Sequence, residues 1–366
     1  MISRLLLGIL SILPFLTASN SHSSKGPIRC DFTDEYTTTN CSDSVVCSIT
    51  YDYFIENFYD TNVRNSDVRI TKRCIGKDSG GTDVLEYDFC PTGYKHTILI
   101  SAGMNPNELT PIFALSYFLD RLIHPSSGIS TFLHDSVRVK IIPILCPSAF
   151  DRPHKKYLSH NNVNINRNFD YNGSWASMDS HYGTWSYKGP RPMSEVESRL
   201  LAHWLASNQT ANTYIDCHSA VGSNLQYTFY TYASDYASKT KVLEAQAIIK
   251  DTYSLMGLNP TKESVRVVKD GSEYPKIPLF YNQYGIPSIM IEQNPGDLTH
   301  GGTEMHNDKF DICNYVYMIS LYSYYSLKEP NYIYFIRNIK ARHFVTAAIL
   351  LVMVTLLLVY KRRKHP

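Results

Sequence analysis

Between residues 90 and 295 the chain alternates short apolar runs with longer stretches of helical period. His96–Ser101 (HTILIS), Val137–Leu145 (VRVKIIPIL), Tyr214–His218 (YIDCH), Leu225–Tyr232 (LQYTFYTY) and Ser288–Glu292 (SIMIE) have the length of strands. They are apolar nearly throughout rather than at every second position, as strands covered on both faces are. Leu109–Ile123, Glu195–Ser207 and Val242–Met256 carry the apolar spacing of helices. Ser194 and Glu197 give the second of these an S-x-x-E start, the signature of a capping box. Strands alternating with helices predict an α/β fold, with a mixed, mostly parallel sheet and helices on both faces.

In such sheets, binding sites form where the carboxyl ends of strands meet. Three ionisable side chains fall there: Glu108 follows the first run, His218 ends the third and Glu292 ends the fifth. A carboxylate and an imidazole suit zinc, whose catalytic sites use three protein ligands and a water. A further carboxylate beside them can act as general base. Asn166 and Arg167 form a second cluster, because a planar guanidinium matches a carboxylate with two parallel hydrogen bonds. Taken singly, each has a plainer reading: a satisfied structural histidine, a salt-bridged carboxylate, a polar loop.

The ends change where this body is placed. Residues 1–19 have a positive start, an apolar run and small residues at Ala18 and Ser19, the pattern of a signal peptide. Phe344–Tyr360 is uncharged and 17 residues long, enough to span a bilayer, with a basic tail at 361–366 and a juxtamembrane stretch at 331–343. The expectation is a single-pass type I membrane protein whose ectodomain is extracellular or lumenal, at the plasma membrane or an endomembrane. Sequons at Asn40, Asn172 and Asn208 agree. So do eight cysteines, five of them within residues 30–90. Residues 20–67 read as a Cys-rich N-terminal segment. The formal net charge is +2, but Arg4 and seven Lys/Arg from residue 337 onward supply eight positives, which leaves the body at −6. No basic patch points to nucleic acid.

Five segments occur in a telling order: GMNPNE (103–108), NRNFD (166–170), GPRPMSEVE (189–197), DCHS (216–219) and GIPSIMIEQ (285–293). Together they resemble the zinc carboxypeptidase family, the carboxypeptidase A/B type also called funnelins. The resemblance covers a domain of residues 68–330, with residues 69–89 similar to the family's early β-hairpin. It implies one Zn2+ held by Glu108 and His218, with Asn105 standing where the family has a third ligand, His. It implies Arg167 and Asn166 on the terminal carboxylate, Glu292 as general base and Ser219 beside the metal. The implied reaction is hydrolysis at peptide or protein C-termini. His96, His154 and His160 are candidates for a substitute ligand. Arg152, Lys155 and Lys156 are candidates for a carbonyl-polarising cation, and Tyr274 and Tyr281 for a tyrosine that closes over the substrate. With Asn105 in place of His, the second expectation is an inactive domain of the same fold that binds peptides or protein partners. A zinc deacylase of the aspartoacylase type shares the core, but NRNFD and GPRPMSEVE argue against it.

Overall fold

The computed structural model describes residues 50–64, 66–151, 158–219, 226–232, 265–268, 284–294 and 309–327, with 226–232 and 265–268 described as backbone only. The expected signal peptide, the helix at Val242–Met256 and the apolar span Phe344–Tyr360 lie outside these residues. So do His154, Arg152, Lys155, Lys156, Tyr274 and Tyr281.

Eight described strands form one sheet. They are β1 (Ile70–Lys77), β2 (Asp83–Phe89), β3 (His96–Ser101), β4 (Val137–Ile142), β5 (Thr213–Ser219), β6 (Gln226–Tyr232), β7 (Val265–Val268) and β8 (Ser288–Asn294), in the order β1-β2-β4-β3-β5-β8-β6-β7. The central run β4-β3-β5-β8 is parallel, as is the β6–β7 pair. The joins β1–β2, β2–β4 and β6–β8 are antiparallel. This is the mixed, mostly parallel sheet that the apolar runs predict. β4 stops at Ile142, short of the expected Leu145. Pro143 follows, and a residue without an N–H cannot continue the ladder.

Alternate strand residues feed two cores. Ile98, Ile100, Val139, Ile141, Ile215, Cys217, Ile289 and Ile291 face one side. There they meet α1 (Leu109–Ile123), α2 (Gly128–Ser136) and α4 (Lys309–Leu327). Thirteen of the fifteen residues of α1 are buried, because sheet, neighbouring helices and residues 51–64 enclose it on several sides. Tyr51, Phe54, Ile55 and Tyr59 are part of this core, and Phe54 packs edge-on against Phe113 of α1, with ring centroids 5.1 Å apart. Leu99, Ile142 and Tyr214 face the opposite side, where Leu201, Trp204 and Leu205 of α3 (Val196–Ala206) cover them. Helices therefore lie on both faces.

The capping box expected at Ser194 and Glu197 does not form. The residue before α3 is Glu195, and it makes no side-chain cap. Ser194 Oγ instead accepts from Asn168 Nδ2 and donates to Glu195 Oε1. Glu197 reaches across the domain to accept from both the backbone N (3.0 Å) and Oγ (2.6 Å) of Ser79 in the β1–β2 turn. Tertiary partners have outcompeted the local cap.

Burial pushes the Glu197 carboxyl above its ordinary value, only partly offset by the Ser79 hydrogen bonds. A carboxyl raised on folding favours the fold while protonated. Its contribution is full below the unfolded value, about 4.3, and is lost as pH rises through the folded value. Glu197→Gln keeps an acceptor for Ser79 and has no charge to bury. Its stability relative to wild type, read as the urea midpoint, is therefore expected to improve from pH 4.5 to pH 7.5. An unchanged difference over that range would mean Glu197 titrates as it does in the unfolded chain.

Candidate active site

β3, β5 and β8 are neighbours and run the same way, so their carboxyl ends open at one edge of the sheet. Past β3 the chain must turn sharply under β4. Gly103 makes this possible: its φ is +66°, and a Cβ there would lie 2.7 Å from Ile144 Cα. A turn closed by Glu108 N–H donating to Asn105 O (3.0 Å) then sets both side chains on the same short stretch before α1. Asn105, Glu108 and His218 are all buried.

Glu108 and His218 meet. Glu108 Oε2 lies 2.8 Å from His218 Nδ1 and accepts from the backbone N–H of Ser219 at 3.1 Å. The other ring nitrogen, Nε2, faces Asp216 Oδ2 at 3.2 Å. Asp216 in turn accepts from Ser101 Oγ, which pairs with the Tyr214 hydroxyl at 2.7 Å. Burial raises the Glu108 carboxyl above its ordinary value, and the adjacent imidazole works against that rise. Glu292 is the register partner of His218 across β5–β8, and in-register residues of parallel neighbours point to the same face. It is half-buried, more open than the other two. Behind the site, Tyr315 of α4 donates its hydroxyl to the carbonyls of His218 and Ile291, at 2.9 Å each, and pins β5 to β8.

Asn166 and Arg167 lie in a single 3-10 turn, Ile165–Arg167, and both are buried. Asn164 couples this turn to Asn105: its Oδ1 accepts from Asn166 N at 2.9 Å and from Asn105 Nδ2 at 3.5 Å. The Arg167 guanidinium lies 5.9 Å from the centroid of the Trp185 ring. Asn166 Oδ1 is buried with no hydrogen-bond partner. Asn168 completes the segment from the inside. Its Nδ2 donates to Lys188 O, Arg191 O and Ser194 Oγ, and its Oδ1 accepts from Glu195 N and Ser198 Oγ. Gly189 leaves room for that amide: a Cβ there would stand 2.8 Å from Asn168 Nδ2.

The profile of the zinc carboxypeptidase family matches residues 83–276, more than half of the chain. The chain belongs to that family. Its fold is similar to carboxypeptidase A of Helicoverpa armigera, with a TM-score of 0.60 at 15% identity over 76% of this chain and 73% of that one. It is likewise similar to bovine thrombin-activatable fibrinolysis inhibitor, solved with tick carboxypeptidase inhibitor (TM-score 0.59, 14% identity, 76% and 97% covered). A metallo-carboxypeptidase from Burkholderia cenocepacia gives 0.51 at 13% identity, with 75% and 68% covered. Among curated proteins no sequence matches.

The family implies Zn2+, and in this carboxypeptidase fold the donor set answers to it only in part. Glu108 and His218 are good zinc donors, and Glu108 Oε1 is a buried carboxylate oxygen with no hydrogen-bond partner. Asn105 is a neutral amide and a poor donor. Tetrahedral zinc holds its donor atoms about 3.3 Å apart, whereas Glu108 and His218 stand at hydrogen-bond distance. Among the described residues no three His, Cys, Asp or Glu side chains are grouped to hold a metal. His96 opens β3, at the far end of the strand from Glu108, and His160 is exposed beside Gly80. Neither replaces the third ligand.

The motifs thus bring together Asn105, Glu108, His218, Ser219 and Glu292, with Asn166 and Arg167 joined through Asn164. Sequence reasoning overlooked Asp216, Asn164, Asn168 and Tyr315. Asp216 and Asn168 lie inside quoted motifs, and Asn164 stands two residues before one. Tyr315 had no local signal. Asn168→Ala removes a buried amide serving five partners and is expected to lower stability by roughly 2–4 kcal/mol. Urea denaturation reads this, and a change under 1 kcal/mol would show that the two motifs hold together without it.

Proposed function

We propose a membrane-anchored metallocarboxypeptidase-like protein that acts on the carboxyl ends of peptides. The observation that carries this reading is the meeting of Glu108 and His218 with Glu292 in register beside them, at the mouth of three parallel strands. Glu108 and His218 would hold the ion, with Asn105 as a weak third donor. Zinc, when bound, supplies a water acidic enough to ionise near neutral pH and an electrophile for the scissile carbonyl. Glu292 takes the proton of the attacking water and returns it to the leaving amine. Arg167 grips the terminal carboxylate as a fork, and the Asn166 amide donates beside it. The signal-like start and the apolar span at 344–360 support an ectodomain facing outside or a lumen.

A second reading is favoured by Asn105. With a neutral amide in that position and Glu108 already paired with His218, the same cleft would bind C-termini without cleaving them.

Outer partners of zinc ligands alone are worth about 10–100-fold in affinity, so losing a ligand weakens zinc at least that much. Purified full-length protein dialysed against micromolar zinc is therefore expected to hold well under one ion per chain. Asn105→His is expected to raise the content towards one and to increase hydrolysis of N-blocked dipeptides. Glu292→Gln should abolish that hydrolysis. Arg167→Ala should weaken binding of free-acid peptides roughly 10–100-fold. If Asn105→His fills with zinc and still cleaves nothing, the hydrolytic reading fails and the binding reading stands. Unchanged zinc content in that variant would show that position 105 does not face the metal.

A further inference from the structure

β1 is an outer strand of the sheet, and its Cys74 thiol is exposed. An exposed thiol is open to oxidation, so in an oxidising compartment it acquires a partner. Cys90, just past β2, is half-buried. These two cannot bond to each other. Cys74 lies opposite Leu85, five residues before Cys90. At about 3.3 Å per residue that sets them about 16 Å apart, and a disulfide needs Cα atoms within about 7 Å. They also face opposite ways: Cys74 shares a face with Leu85, and Cys90 lies an odd number of residues further on. Cys146, Cys217 and Cys313 are buried inside the domain. Of the eight cysteines, Cys30, Cys41 and Cys47 remain, all ahead of residue 50, where the described chain begins.

The course of residues 51–64 decides which of the three can reach. The buried Tyr51 donates its hydroxyl to Asp83 O at 2.9 Å, at the start of β2. Asp83 also adjoins Cys74: its carboxyl is held below the ordinary value first by Lys77, with the Cys74 thiol a smaller contributor. Tyr51, Asp60, Lys72 and Leu85 line one groove, on the face to which Cys74 points. Lys72 closes on Asp60 there at 2.7 Å. Cys47 stands four residues before Tyr51, a reach of about 13–14 Å. Cys41 and Cys30 stand ten and twenty-one before it, and the entropy of closing a loop favours the nearest partner. Charge does not oppose the contact. Residues 30–49 hold four acids and no Lys or Arg, whereas β1 carries Lys72, Arg73 and Lys77 and no acid.

We propose that a disulfide joins Cys47 to Cys74 and ties the segment ahead of residue 50 to the outer edge of the sheet. This rests on the reading that the body faces outside or a lumen, where such bonds persist. The step balances as exchange with a small disulfide oxidant such as oxidised glutathione. The Cys74 thiolate attacks one sulfur of the oxidant, and the thiolate that leaves takes up the proton Cys74 gave. The Cys47 thiolate then attacks Cys74 Sγ of the mixed disulfide and releases the second thiol. The protein loses two electrons and two protons, and the oxidant gains both. The closed loop contains Tyr51, Phe54 and Tyr59, so the bond limits how far these core residues stray in the unfolded chain.

The test is a disulfide map. Full-length protein is extracted from the cells that make it, in detergent with N-ethylmaleimide, then digested with trypsin and a protease that cuts before Asp. The peptide DSVVCSITY (43–51) is expected joined to CIGK (74–77), and reduction should separate them. Cys47→Ser and Cys74→Ser should lower the urea midpoint equally, and the double variant should lower it no further. Each single variant should leave one thiol that maleimide labels in the folded protein. If Cys74 is joined to Cys30 or Cys41, or is labelled in a chain that carries another disulfide or a glycan, the pairing is wrong and the outward-facing reading is untouched. If the chain has no disulfide and no glycan on its sequons, that reading fails and this proposal falls with it.

Discussion

Parallel neighbours deliver their ends to the same edge, and at this site that is the governing constraint. β3, β5 and β8 lie side by side in one direction, so residues 110 and 184 positions from Glu108 become its neighbours without any loop having to reach across the domain. The strands themselves are apolar and buried, which leaves the polar residues at their ends little choice but to face one another. Tyr315 reinforces this from the opposite face by bridging the carbonyls of His218 and Ile291. A tyrosine hydroxyl ordinarily titrates at about 10 and burial raises this one further, so the bridge persists through the range where carboxylates titrate.

Placing ionisable groups in such a spot is costly, and the polar chain around His218 shows how the domain offsets it. Each ring nitrogen faces a carboxylate oxygen, and one of those carboxylates is also held by the Ser219 backbone. The chain continues through Ser101 to Tyr214. Networks of this kind are favourable only when nearly every member is satisfied. One carboxylate oxygen of Glu108 is left over. An exposed carboxylate would find water, whereas this one is buried, which is the electrostatic argument for a cation there. Asn105 argues the other way, since an amide adds no charge to attract an ion. The centre therefore sits between a metal site and a self-contained hydrogen-bonded pair.

Much of this was legible in the sequence, for reasons that differ by residue. β3 and α1 fall where the apolar pattern puts them, because a buried strand and an enclosed helix are written in consecutive residues. Glu108, His218 and Glu292 were legible because strand ends concentrate chemistry. The cap at Ser194 was misread because a local pattern was judged without its distant rivals: Asn168 engages Ser194, and Ser79 engages Glu197. Asn164 and Tyr315 escaped because each acts through one or two bonds to residues remote in sequence. No periodicity records such bonds, and an alpha-helical tyrosine among many looks like ordinary packing. The N-terminal stretch gave no hint that Phe54 and Tyr59 enter the main core, since their partners lie far along the chain.

Asn168 ties NRNFD to residues 188–198 with five hydrogen bonds, so the residues between, 171–187, leave and return at a fixed pair of posts. Such an insert behaves as an exchangeable cassette. A change of length at its tip would leave the frame that carries the guanidinium in register.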